Sequence, residues 1–181
     1  PMGTGTILPD LIYRSARARP DHPALVLKGG KKSYAVLAAE VTAFAKGFVE
    51  LGLRPSERVG IFLEKQFETV TALLGASAAG GVFVPINPAL RPSQVAHILS
   101  DCSVSALVTT RKRAAELSEI LSSCSDLKLL IVLEDGPATD FPTLQVGTWD
   151  RFMQQGAQST APLPAIAEDG LAGILYTSGS T

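Results

Sequence analysis

The chain of 181 residues is long enough for one domain with a real core and too short for two ordinary ones. Hydrophobic residues make up 46%, which fits a soluble α/β protein with a buried sheet, and the formal net charge of −1 argues against a nucleic-acid binder that works by electrostatic attraction. No window of about 18 apolar residues exists and no basic flank leads into an apolar N-terminal core, so neither a membrane span nor a signal peptide is predicted.

Pro1 is no natural initiator, so the first residues read as a remnant of cloning. Leu8, Leu11, Ile12 and Ala16 make a helical stripe, which Pro20 and Pro23 end. Residues 24–27 and 31–34 flank Gly29-Gly30, the pattern of a small hairpin. Leu37, Val41, Phe44, Phe48 and Leu51 step by four, three, four and three, so they share one helix face, with Gly52 placed to cap its end.

Four apolar runs follow, at 59–63, 82–86, 106–109 and 129–133. Each is too continuous for a strand with one wet face and has the length of one buried on both. Between them lie helical stripes: Phe67, Val70, Thr71, Leu74 and Ala78; then Val95, Ile98, Leu99 and Cys102, opened by Pro92; then Ala114, Leu117, Leu121 and Cys124. Strand and helix in alternation predict an α/β fold, a doubly wound parallel sheet with flanking helices, which places ligands at the C-terminal edges of its strands. The segment 134–147 reads as turn-rich, Thr148 as the cap of a short helix through Gln155, and 156–169 as a linker. A last apolar run, 171–176, reads as a strand.

That strand delivers Thr177, Ser178, Gly179, Ser180 and Thr181. Gly179 tolerates backbone angles that strain other residues, and successive amides in such a turn form a concave anion site. Four hydroxyls add donors without bulk. A Ser/Thr/Gly surface turn or flexible tail has the same composition. No metal site is expected: Cys102 and Cys124 have no ligand partner at short spacing, and His22 and His97 lie far from both in sequence. The cysteines read as free thiols of a reducing, cytoplasmic setting. His97 reads as a partly buried or capping histidine, His22 as a turn residue, Arg111-Lys112-Arg113 as the solvated start of a helix, and Asp169 as orienting the loop or simply solvated.

Residues 176–181 resemble the start of the phosphate-binding loop of the adenylate-forming superfamily, which includes acyl-CoA synthetases, luciferases and peptide-synthetase adenylation domains. Arg19-Pro20-Asp21-His22-Pro23-Ala24-Leu25 resembles that family's opening turn and first strand. Ser33-Tyr34-Ala35-Val36-Leu37 resembles its first core motif, and Ala78-Ala79-Gly80-Gly81-Val82-Phe83-Val84-Pro85-Ile86-Asn87-Pro88 its second. Ser56-Glu57 stands where a Gly-Asp pair is usual. Within the superfamily the pattern looks closest to bacterial acyl-CoA ligases, including exosortase-associated ones; peptide-synthetase adenylation domains are the alternative, and a non-enzymatic α/β assembly module is a further one.

The resemblance implies that residues 1–181 are an incomplete N-terminal catalytic domain that stops inside the loop. It implies an enzyme that activates a carboxylic acid with ATP and Mg²⁺ and passes the acyl group to a thiol, usually that of CoA. Thr177, Ser178, Gly179, Ser180 and Thr181 would hold the β and γ phosphates. No residue present is expected to act as a catalytic acid or base, since the family's lysine and its magnesium-binding glutamate lie further on. The chain alone is expected to make no acyl-adenylate, to bind ATP poorly, and to self-associate through apolar surface left uncovered.

Overall fold

The computed structural model describes residues 7–134 and 141–177. In chain order the elements are α1 (Leu8–Ala18), β1 (Pro23–Leu27), β2 (Gly30–Ser33), α2 (Tyr34–Glu50), β3 (Arg58–Phe62), α3 (Phe67–Ala78) and β4 (Val82–Pro85). They continue with α4 (Pro92–Asp101), β5 (Val104–Thr109), α5 (Arg111–Glu116), α6 (Ser118–Ser123), β6 (Leu129–Val132), β7 (Gln145–Thr148) and α7 (Trp149–Gln158). β1 and β2 form the expected antiparallel hairpin. The other five strands form one parallel sheet in the order β4-β3-β5-β6-β7. Strand direction reverses its march across the sheet between β3 and β5, the switch point of a doubly wound fold.

The continuous apolar runs are explained by two cores, one on each face. Val59 and Ile61 of β3, Ala106 and Val108 of β5, and Leu129 and Ile131 of β6 face α2, α3 and α7. Phe62, Leu107, Leu130 and Val132 face α4, α5 and α6. On the first face Phe44, Phe48 and Phe152 stack edge to face, with ring centroids 4.9 to 5.2 Å apart. Such pairs add to the transfer free energy of burying each ring, about 1.5–3 kcal/mol. Helices α2 and α7 come close enough that a Cβ on Gly156 would lie 1.8 Å from the Ala43 carbonyl oxygen.

Helix ends follow the sequence signals. The Ser33 hydroxyl accepts the Val36 N–H at the start of α2, and Gly52 beyond its end has φ +77°. Pro92 opens α4. Thr148 occupies the N-cap of α7, as expected, although its side chain makes no capping bond.

A polar network ties the hairpin to the helices. Lys32 Nζ donates to both Glu40 oxygens at 2.6 and 2.7 Å, the Thr71 hydroxyl donates to Glu40 Oε2 at 3.1 Å, and Lys32 sits 5.1 Å from the Phe67 ring centroid. Thr71 is fully buried. Glu40→Ala therefore leaves a buried hydroxyl without its acceptor and should cost about 1–3 kcal/mol. Glu40→Gln, which keeps an acceptor for Thr71, should cost less. Urea denaturation of the two variants measures the difference.

Three expectations change. Leu11 is half exposed, and Pro9, Ile12, Tyr13 and Ala16 form the inward side of α1. The stripe from Ala114 to Cys124 is two helices broken at Leu117 (φ −99°, ψ 7°); the break still leaves Ala114, Leu117 and Leu121 buried on one side. The turn-rich 134–147 segment contributes β7, a short, half-exposed edge strand whose residues carry little apolar signal. Among the described residues no helix is long and apolar enough to cross a membrane.

Candidate functional site

The approach to the predicted loop is built by β4 and α4. Residues 171–176 do not form a full strand, which corrects the expectation. They meet the sheet at one parallel bridge, Gly173 to Phe83, beside the edge strand β4. The Phe83 N–H donates to the Ala172 carbonyl and the Ile174 N–H donates to the Phe83 carbonyl, both at 3.0 Å. The next outward-facing donor on β4 would be residue 85, and Pro85 has no N–H, so the ladder stops there. Toward β3 the proline does no harm, because the bond on that side comes from Ile86 N–H to the Ile61 carbonyl at 2.9 Å.

Side chains in this segment alternate. A Cβ on Gly173 would lie 2.3 Å from the Phe83 ring, so glycine lets the chain pass under the aromatic side chain. Ile174 packs into the second core, while Leu171 and Leu175 are 61% and 71% exposed. Tyr176 turns its hydroxyl to the end of α4, where it donates to Asp101 Oδ2 and lies 2.9 Å from Cys102 Sγ. Partial burial, together with the Asp101 carboxylate and the Cys102 thiol, pushes the Tyr176 hydroxyl well above its ordinary ionisation range. Thr177 is exposed. Ser178, Gly179, Ser180 and Thr181, the rest of the predicted phosphate site, lie outside the described residues.

The C-terminal edges of the strands, where ligands of such folds gather, carry a paired set of charges. At the switch point the Thr109 hydroxyl donates to the Phe62 carbonyl at 2.8 Å. Arg113 stacks over the Phe62 ring at 4.3 Å and donates to the Pro88 carbonyl and to Glu64 Oε1 at 3.0 and 2.5 Å. Arg113 is thus largely buried over the end of β3 and tied to the segments that follow β3 and β4, not a solvated helix start as its basic neighbours suggested. Beside it the Arg111 N–H and guanidinium donate to Glu134 at 2.7 and 3.0 Å. These contacts hold the start of α5 against the sheet edge. A cleft of about 360 Å³ runs instead along residues 165–172 against Ser77, Gly80 and Gly81, behind the loop approach.

The remaining candidates are placed as follows. Cys102 is buried and Cys124 half-buried, and both are free. His22 is exposed, with Nδ1 3.1 Å from the Pro23 carbonyl. His97 is exposed on α4, where the sequence suggested partial burial, and Asp169 is exposed in a turn. Among the described residues no group of His, Cys, Asp and Glu is arranged to hold a metal ion. No sequence signal marks Asp101, whose partner Tyr176 lies 75 residues away, and Arg113 reads in sequence as solvated because its stacking partner Phe62 lies on another strand.

Comparison with known proteins places these features in context. A family model described as "AMP-binding enzyme" matches residues 12–181. N-(5-amino-5-carboxypentanoyl)-L-cysteinyl-D-valine synthase of Streptomyces clavuligerus is 32% identical over 180 residues, covering 96% of this chain and 21% of that protein. Medium/long-chain-fatty-acid–CoA/3-oxocholest-4-en-26-oate–CoA ligase of Mycolicibacterium smegmatis is 25% identical over 172 residues, covering 95% and 31%. The solved structure of anthranilate CoA ligase AuaEII in complex with anthranoyl-AMP superposes with a TM-score of 0.84 at 22% identity, covering 99% of this chain and 34% of that one. The fold is therefore that of the N-terminal part of such ligases, and the chain spans only about a third of their length or less.

Proposed function

The chain belongs to the AMP-binding enzyme family, and from that premise we propose that it is the N-terminal part of an AMP-forming acyl-CoA ligase. A carboxylate oxygen of the acid attacks the α-phosphorus of ATP, the bond to the bridging oxygen breaks, and pyrophosphate leaves with that electron pair. The acyl-adenylate then reacts with the thiol of CoA; the carbon–sulfur bond forms as AMP departs and the thiol proton goes to solvent.

The observation that carries this reading is the hydroxyl- and glycine-rich sequence 177–181 following a segment bound to β4, within a chain that matches the family from residue 12 onward. A carboxylate must approach a polyanion, and preorganised donors on the departing phosphates lower that barrier. Thr177, Ser178, Ser180 and Thr181 supply hydroxyls, and the backbone around Gly179 supplies amides, for the β and γ phosphates. These groups act as donors rather than as acids or bases. Among the described residues no group of three or more His, Cys, Asp or Glu stands together to hold a metal ion, and no residue of this chain is assigned to the magnesium that accompanies ATP.

A peptide-synthetase-type adenylation domain is the second reading, because the more identical of the two relatives above is a synthase that joins amino acids. ATP–pyrophosphate exchange by the whole protein, run over fatty, aryl and amino acids, separates the two. Exchange with fatty or aryl acids and CoA-dependent AMP release is the expected result. Exchange confined to amino acids would replace the ligase reading with the second one, and no exchange with any acid would remove both.

A further inference from the structure

We propose that Asp101 and Cys102, at the end of α4, clamp the Tyr176 hydroxyl and so fix where the chain enters the 177–181 loop, making them positioning residues for its phosphate contacts. The inference rests on the phosphate-loop reading above only for its consequence; the clamp itself is a matter of geometry.

Three observations carry it. First, among the described residues the backbone tethering of the loop approach ends at Ile174. Its N–H is bonded to Phe83, and Pro85 then denies the edge strand its next donor. Leu175 is exposed, so among the described residues the Tyr176 side chain is the last attachment before Thr177.

Second, Asp101 stands where a carboxylate is poorly placed. It is the last residue of α4, beside the partial negative charge of the helix C-terminus, and the last turn contains no basic residue. A donor from outside the helix relieves that position, and Tyr176, 75 residues away in sequence, supplies it. The junction that presents Asp101 and Cys102 side by side is itself specific: Ser103, a non-glycine residue, takes φ +50° to turn α4 into β5.

Third, the protons balance. The phenol keeps its one proton and donates it in a hydrogen bond to the Asp101 carboxylate, which leaves the Cys102 thiol as the donor to the phenolic oxygen. Both partners are satisfied without a change of charge, and the raised ionisation range of Tyr176 keeps it a neutral donor. Cys102 is 95% shielded in this arrangement, being 5% exposed, and its neighbour Ile98 and the inserted Ile174 belong to the same core.

The test uses Tyr176→Phe, Asp101→Ala and Asp101→Asn. Without nucleotide, Tyr176→Phe and Asp101→Ala should each speed amide exchange at residues 176 and 177, and iodoacetamide labelling of Cys102, at least tenfold. Cys124 labelling should stay within twofold, which reports an intact fold. Asp101→Asn keeps an acceptor and should restore rates to within threefold of the wild type. Rates within twofold of wild type for Tyr176→Phe, or an Asp101→Asn as fast as Asp101→Ala, would overturn the clamp. In the whole protein, Tyr176→Phe should raise the KM for ATP by more than it lowers kcat; an unchanged KM would overturn the positioning role. Absence of any ATP–pyrophosphate exchange by the wild type would instead remove the phosphate-loop reading and leave the labelling result intact.

Discussion

Gly156→Ala is expected to destabilise the chain by about 2–3 kcal/mol, against the usual direction of a glycine-to-alanine change inside a helix. Helix propensity alone would favour alanine by about 1 kcal/mol. The methyl, however, would stand 1.8 Å from the Ala43 carbonyl oxygen, 2.8 Å from its carbon and 2.9 Å from the Gly47 nitrogen. All three are backbone atoms of α2, so no side chain can swing aside, and α7 must move away as a unit. That motion opens the contact between Phe152 and the Phe44–Phe48 pair. Overpacking typically costs about 1–3 kcal/mol and occasionally more, and a clash with three fixed backbone atoms lies at or above the top of that range, so about 2–3 kcal/mol remains after the propensity gain. At roughly 2–4 °C per kcal/mol for a chain of this size, the melting temperature should fall by about 4–12 °C. Gly29→Ala, whose added Cβ meets nothing within 4 Å, is the control and should melt near the wild type. A Gly156→Ala chain that melts with the control would show that α2 and α7 are not held at this distance.

The second large effect concerns catalysis. In the whole protein, Gly179→Val should lower the kcat/KM for ATP in pyrophosphate exchange by about 10²–10³-fold, the loss typical of removing a preorganised donor from a developing charge. Glycine leaves room for phosphate oxygens to approach the backbone, and a β-branched side chain both fills that room and restricts the backbone angles. Thr177→Ala, which removes one hydroxyl and leaves the amides, should cost less. Exchange by Gly179→Val within tenfold of wild type would show that the loop does not touch the departing phosphates.

The sheet was legible because its strands are buried on both faces. Runs such as 59–63 and 129–133 cannot be anything wet on one side, and the structure pairs them as read. β7 was not legible: Gln145 and Gly147 lie in an edge strand whose pairing with β6 uses backbone groups, which leave no mark in the side-chain pattern. The 171–176 run misled in the opposite sense. Its apolar residues look like a strand, but whether a ladder forms is decided by the partner strand, which pairs at Phe83 and offers Pro85, without an N–H, at its next outward position. The proline was visible, yet its outward-facing position depends on the register with β3, which the sequence does not state. The candidate site is a sequence motif from Thr177 to Thr181, of which Thr177 alone lies among the described residues. The residues that hold its approach were not legible, because Asp101 and Cys102 come next to Tyr176 only through the crossing of α4 and the edge of the sheet.

The Phe44–Phe48–Phe152 cluster has a consequence for the birth of the chain on the ribosome. Two of its rings belong to α2 and the third to α7, so about 100 residues must be translated before the set is complete, roughly 5–20 s at ordinary elongation rates. During that interval α2 has an aromatic ridge without its cover, and β3 to β6 emerge beside it before α7 can close the face. The nascent chain thus offers a holding chaperone a defined target, centred on residues 44–48, which disappears when Phe152 docks. Misassembly should accordingly concentrate in chains whose synthesis stalls between β6 and α7.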